Sequence, residues 1–415
     1  MLETLRDALK TQEMRKKILF TLVMFLIFRI GSHIPVPGID KAQIAQVIEQ
    51  ISLLGFFDTI SGSALKNVSI FAMSITPYIN ASIIIQLLTV IFPRLEAIAK
   101  DDRKKIVEYT RYLTVVLGFI QAIGLSFGLR SALSDTSFMS ISIIVLSLTA
   151  GTACLMWIGE LITEKGIGNG ISLIIFAGIV SRIPGGIAYL IEYAKQGAMN
   201  ILFVLIFLVL ALAAIVFVII VNQGERRVPV QYAKRVVGRK MYGGQSTHIP
   251  IKVNSAGVIP VIFAMSLMFF PGTIASFFPN NVFASWISQH FTFTNIGYNL
   301  LYALLILFFT YFYSSITFNP IDVADNIRKN GGFIPGIRPG RPTSEYIMKV
   351  MSRITFFGGL FLALIAVLPA IIMGFGNMNI YFGGTSLLIV VGVAIDTMKQ
   401  IESNMMMRNY EGFMK

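Results

Sequence analysis

The sequence predicts an all-α polytopic membrane protein with ten transmembrane helices. Three observations predict it. Ten apolar stretches recur along the chain, and the lysines and arginines between them collect on every second connection. Charged residues make up only 13% of the chain, against roughly 25% in a soluble domain. Lipid, not a soluble core, must therefore cover most of the apolar surface.

The charge pattern orients the chain. Of its 34 Lys and Arg, only Arg29, Lys41, Lys66, Arg130, Arg182 and Lys195 fall outside the leader and the connections after stretches two, four, six, eight and ten, counting Arg353 and Lys399 at stretch ends. Loops that stay in the cytoplasm are rich in Lys and Arg. Both termini are therefore expected there. A net charge of +13 would ordinarily point to nucleic acid. Here it sits in cytoplasmic loops, so anionic lipids and cytosolic partners are expected instead, and no specific DNA.

Residues 1–17 read as part of the mature protein, because no small-residue cleavage site follows the first apolar run. Leu2, Leu5 and Leu9 mark one helical face, with Arg6, Lys10, Arg15, Lys16 and Lys17 for charge. That pattern predicts a short amphipathic helix on the inner membrane surface. The ten spans are expected at 18–34, 68–92, 112–129, 138–162, 171–183, 200–221, 256–270, 299–318, 354–375 and 381–401. A perpendicular crossing needs about 20 residues. The fifth and seventh fall short of that and are flanked by Gly or Pro, which predicts protein or water around them rather than lipid. Residues 402–415 form a cytoplasmic tail.

Between the first two spans, a segment at about 53–67 is apolar enough to enter the membrane and too short to cross it. It contains Phe57, Ile60, Ser61, Gly62, Ser63 and Leu65. A re-entrant helix from outside is expected, with an interfacial helix as the alternative. Two cytoplasmic loops, 222–254 and 323–349, are long. The first carries Arg226, Arg227, Lys234, Arg235, Arg239, Lys240 and Lys252. Strand-like alternation at Val228–Tyr232 and the Gly243-Gly244 pair predict a projecting basic hairpin. In the second, Gly and Pro surround Arg338 and predict a rigid turn that presents it.

Catalytic constellations are missing from the sequence. Glu160 and Asp396 lie near cytoplasmic span ends and Asp322 follows the eighth span, so no carboxylate sits at mid-membrane. Ion-coupled transporters keep ionisable groups there. Cys154 is the single cysteine, and His33, His248 and His290 lack ligand spacing. The chain reads as neither an enzyme nor a metal or cofactor protein. Ile75 and Ile79, and again Ile171 and Ile175, are four apart and so share a helix face. They lie in the interrupted or short spans, where an apolar constriction could block ions by dewetting. A secondary transporter for a small solute is the rival reading, and an interaction scaffold a third.

Seven runs then bring in a resemblance over nearly the whole chain: 28–39, 77–88, Gly166-Ile167-Gly168-Asn169-Gly170-Ile171-Ser172, 245–250, 257–260, Pro335-Gly336-Ile337-Arg338-Pro339-Gly340 and 381–386. Together they resemble the bacterial SecY family, the protein-conducting channels of the Sec translocase. The resemblance implies two pseudo-symmetric halves, 18–199 and 200–401, around an hourglass pore in the bacterial plasma membrane. It implies a pore ring of Ile75, Ile79, Ile171, Ile175, Ile262 and Ile389, and a plug at 53–67. It implies a lateral gate between the second and seventh spans, with Gln86 and Asn254 as polar members. Partner-docking positions fall on Arg235, Arg239, Lys240 and Arg338. Implied partners are the SecA ATPase, the ribosome, the small membrane subunits SecE and SecG, signal sequences and translocating polypeptides. Family members continue into a short basic tail, so the stop at Lys415 suggests truncation.

Overall fold

The computed structural model describes residues 2–39, 62–128, 135, 137–188, 201–232, 235–237, 240–242, 246–277, 282, 286–287, 290–291, 295–376 and 384–413. A helix stands at each of the ten expected spans. α1 (Leu2–Lys10) leads into α2 (Gln12–Gly31), the first span. α3 (Thr76–Ile91) is the second and α4 (Pro93–Asp101) follows it. α5 (Arg103–Gly128), α6 (Phe138–Lys165) and α7 (Gly170–Val180) complete the first half. α8 (Ile201–Gln223) and α9 (Ile259–Phe277) flank the first long loop. α10 (Ile296–Thr317), α11 (Pro320–Lys329), α12 (Arg341–Gly376) and α13 (Gly384–Phe413) follow. Among the described residues, five helices are long and apolar enough to cross a membrane, or six if the α3–α4 pair, bent by 110°, counts as one span. Phe92 makes that bend in extended conformation, as the residue before Pro93 is forced to do.

Several boundaries differ from expectation. The second span is not helical from residue 68. Residues 68–75 form turns, and the helix begins at Thr76, with Pro77 in its first turn. Irregular backbone at membrane depth survives only where protein covers it. Here Val68, Ser69, Phe71, Ala72, Met73, Ser74 and Ile75 are all buried. The seventh span is not short: α9 has 19 residues and carries Pro271 inside it. The fifth is regular for 11 residues, then turns at Ser181 and resumes, to give a 19-residue crossing, Gly170–Ala188. The ninth helix begins at Arg341, well before the apolar run, and the tenth carries straight through the expected tail to Phe413.

The two long loops fold together. β1 (Glu225–Tyr232) pairs antiparallel with β4 (Ser246–Lys252), from Glu225 opposite Lys252 to Gln231 opposite Ser246. β5 (Gly332–Phe333), from the second loop, adds to the other edge of β1, with Gln231 opposite Phe333. The buried face of this sheet, Val228, Val230 and Ile251, packs on Ile327 of α11, Ile334 and Ile347 of α12. Beyond it β2 (Arg235–Val237) and β3 (Lys240–Tyr242) form a second, two-stranded hairpin. The protein is therefore all-α across the membrane and β-structured in its projection.

α1 is tied to protein as well as free on one side. Ala8 and Met14 are buried with Ile167 and Ile401, while Leu9 stays exposed. Polar contacts join several spans: Arg111 of α5 pairs with Glu160 of α6 at 2.8 Å. Ser314 of α10 and Thr355 of α12 share a hydrogen bond at 3.2 Å in the buried seam of their helices, the kind of short polar link that joins membrane helices.

Candidate functional site

The centre of the molecule is one buried apolar cluster fed by both halves. Ile75 caps α3 and Ile79 lies one turn later; their exposures are 1% and 6%. Ile175 in α7 is 2% exposed, Ile262 in α9 is 4% and Ile389 in α13 is 1%. Ile171 is partly buried against the same cluster. The six isoleucines come from four helices and all belong to or pack against this one cluster, although 314 positions separate the first from the last. None stands on the exposed face that lipid would cover.

Local sequence explains why α7 reaches this centre. Gly168 has φ +82, and Asn169 caps the helix by accepting the Ser172 N–H at 3.2 Å. The Gly170 N–H donates to Thr163 Oγ1 at 2.9 Å, and the Ile167 N–H to Thr21 Oγ1 at 3.2 Å. A Cβ on Gly170 would overlap the Gly159 carbonyl oxygen, and one on Gly159 would press on Ile171 Cδ1 at 2.5 Å. The two glycines let α6 and α7 cross at backbone distance. Thr21, Thr163 and Asn169 were not singled out by sequence reasoning. Only the cap signature before an apolar run could have flagged Asn169.

The other expected site residues are placed as follows. Phe57, Ile60 and Ser61 lie outside the described residues. Gly62 and Leu65 are buried, and residues 62–67 are a series of turns rather than helix. Gly62 has φ +67 and Ser63 φ +69. The chain then runs beside the end of the first span: the Val36 N–H donates to the Val68 carbonyl at 2.8 Å and the Ile70 N–H to that of Ile34 at 3.0 Å.

Gln86 and Asn254 each bond a partner of their own. Gln86 Nε2 donates to Ser82 Oγ of its own helix at 3.3 Å. Asn254 Nδ2 donates to Asn222 Oδ1 at 2.7 Å, across the base of the β1–β4 ribbon, and both asparagines are buried. The second and seventh spans do touch: α9 packs against α3 and against α5.

On the projection, Arg235 opens β2, opposite Tyr242, and Lys240 opens β3, opposite Val237 at the other end of the pair; Arg239 lies outside the described residues. Arg338 is exposed between Gly336 (φ +80) and Gly340 (φ +103). Its carbonyl accepts the Thr343 hydroxyl at 2.8 Å, and the Ile337 N–H closes on the Ile334 carbonyl at 3.0 Å. The turn is fixed at both sides while the guanidinium stays free of it. Sequence reasoning missed that β5 joins this turn to the other basic loop. No group of three His, Cys, Asp or Glu able to hold a metal occurs among the described residues.

A sequence model of the SecY family matches residues 69–398. The chain belongs to the SecY family. It is 49% identical to the protein translocase subunit SecY of Halalkalibacterium halodurans, over all of both chains. Against the protein translocase subunit SecY of Escherichia coli K12 it is 48% identical, over 97% of this chain and 94% of that one. Its fold matches a solved protein-conducting channel with a TM-score of 0.66 at 19% identity, covering 94% of this chain and 92% of that one. It also matches Sec61 in the canine ribosome–channel complex from the endoplasmic reticulum, with a TM-score of 0.61 at 16% identity and the same coverage. As a SecY family member, the chain is a membrane-spanning, protein-conducting channel subunit of a translocase.

Proposed function

We propose how this channel works and which residues do the work. The carrying observation is that Ile75, Ile79, Ile171, Ile175, Ile262 and Ile389 all lie in or pack against one buried apolar cluster. Branched apolar side chains around a narrow path exclude ions by dewetting, yet yield to an extended polypeptide. The halves 18–199 and 200–401 supply three and two elements to this waist, counting the turn at Ile75 and the helix at Ile79 separately. The segment at 53–67 is the plug on the far side. A signal sequence is itself an apolar helix. The seam of α9 against α3 and α5, with Gln86 and Asn254 as its polar members, is where it would part the helices and partition into lipid.

Energy comes from outside the chain, which itself catalyses nothing and needs no cofactor. Both termini and the β projection face the cytoplasm, in the bacterial plasma membrane. Arg235, Arg239, Lys240 and Arg338 form a basic platform for the SecA ATPase or the ribosome, and SecE and SecG cover other parts of the apolar exterior. The test is a thiol placed at each of Ile79, Ile175, Ile262 and Ile389, with Cys154 replaced by Ser. All four should crosslink to a precursor stalled in transit. Labelling by membrane-soluble reagents with no precursor crosslink at any of the four would remove the waist from the path.

A further inference from the structure

Arg29 is the one Lys or Arg inside the first expected span, and the mechanism above does not use it. It sits in the last turn of α2. Its Nη1 donates to the Gly62 carbonyl oxygen at 2.8 Å and to Ser181 Oγ at 3.2 Å. Gly62 belongs to the plug segment, and Ser181 is the C-cap of α7. One guanidinium thus ties its own helix to two elements that are 33 and 152 positions from it in sequence. No carboxylate pairs with it among the described residues. A cation survives there because the C-terminal ends of α2 and α7 both present carbonyl oxygens, the negative end of a helix. Charges within membrane helices are costly and are retained where they do something.

The surroundings are built for this contact. Ser181 Oγ donates to the Gly178 carbonyl at 2.7 Å, which turns its lone pairs toward Arg29. A Cβ on Gly62 would stand 3.0 Å from Gly178 Cα and 3.1 Å from Ser181 Oγ, and its φ of +67 already favours glycine. The backbone at Gly62 therefore lies close on the end of α7, with the Arg29 guanidinium binding its carbonyl. On the helix side, the Arg29 carbonyl accepts the Ser32 hydroxyl at 2.7 Å. Phe28 stacks on Phe71 at 6.2 Å, which holds α2 against the turns that follow the plug.

We propose that Arg29 is a latch: it fastens the end of the plug segment to the fifth span in the closed channel, and breaking its two hydrogen bonds is a step in opening. This rests on the plug reading above. A hydrogen bond from a charged donor is among the stronger ones available, so its loss shifts a closed–open balance measurably.

The experiment uses the full chain with its partner subunits in planar bilayers and in export assays. Arg29→Met should raise resting ion leak about 10-fold, the size of effect a lost charged hydrogen bond gives. Arg29→Lys, which keeps the charge and a donor, should restore most of the seal. Ser181→Ala, which removes one acceptor only, should give a smaller leak. Export of a precursor with a weakened signal sequence should rise relative to an intact one, because less binding free energy is then needed to open the channel. A mere folding defect would instead lower both precursors alike. In a channel lacking residues 57–66, Arg29→Met should add no leak. If that deletion leaks and Arg29→Met does not, the latch is wrong while the plug stands. Added leak in the deletion background, or equal loss for both precursors, also overturns the latch. A deletion that seals like the wild type would overturn the plug itself, and the latch with it.

Discussion

The waist and the projection are built by opposite means. At the proposed waist, Ile79, Ile175, Ile262 and Ile389 come from four helices and are buried in one apolar cluster. Nothing directional fixes them; volume and polarity do. On the projection, backbone register aligns β1 with β4 and β5, and Arg338 stands on a turn set by two positive-φ glycines. There geometry is specified residue by residue, and the Arg338 charge is presented to solvent on its own turn. The lesson is that the waist should tolerate change of shape within constant volume, whereas the projection should fail at a point.

The largest effect should come from reversing the presented charge. Arg338→Glu is expected to abolish SecA-driven export while leaving insertion and assembly normal, since losing one partner of a docked charge pair costs about 2–5 kcal/mol. Lys329→Glu, on an exposed site at the end of α11, is the internal control and should be mild. ATP-driven translocation into reconstituted vesicles measures both, and equal rates for the two variants would erase the contrast.

Next in size is the waist. Replacing Ile79, Ile175, Ile262 and Ile389 together by Gly should widen and wet it and raise single-channel leak. Replacement by Leu should be nearly silent, because volume-conserving apolar exchanges usually cost less than about 1.5 kcal/mol. Leak as large in the Leu set as in the Gly set would show that the waist, too, is specified by detailed shape.

A third change probes the floor of the projection. Ile347 is fully buried where α12 meets the sheet. Ile347→Ala should destabilise the projection by about 2–5 kcal/mol. Limited proteolysis should then cut both long loops faster, because β5 ties them together. Faster cutting in only one loop would deny that they are one body. The smallest effect is expected from Ser314→Ala, which removes a link between α10 and α12 worth about 0.6 kcal/mol on average in membrane proteins. Thermal unfolding in detergent should move by no more than a few degrees.

The sequence by itself determined that the chain is mostly helical and apolar and roughly where helices stand, because ten apolar runs and an alternating charge are properties of composition along one dimension. It also flagged Ile75, Ile79, Ile171 and Ile175 through helical spacing, and Arg338 through its Gly and Pro neighbours. Ile262 and Ile389 came only from the family resemblance, since lone isoleucines in apolar helices carry no spacing signal. Only the tertiary structure decided where helices stop and what joins distant parts. Residues 68–75 are apolar enough for a helix, yet their burial lets them run as turns into Pro77, with backbone groups bonded to residues 34–36. Proline at 271 reads as a stop, yet it lies inside α9. The addition of β5 to β1 and the bonds of Arg29 to Gly62 and Ser181 connect residues roughly 30 to 150 positions apart. No local pattern encodes such pairings, because each depends on where the packed helices bring two chain ends together.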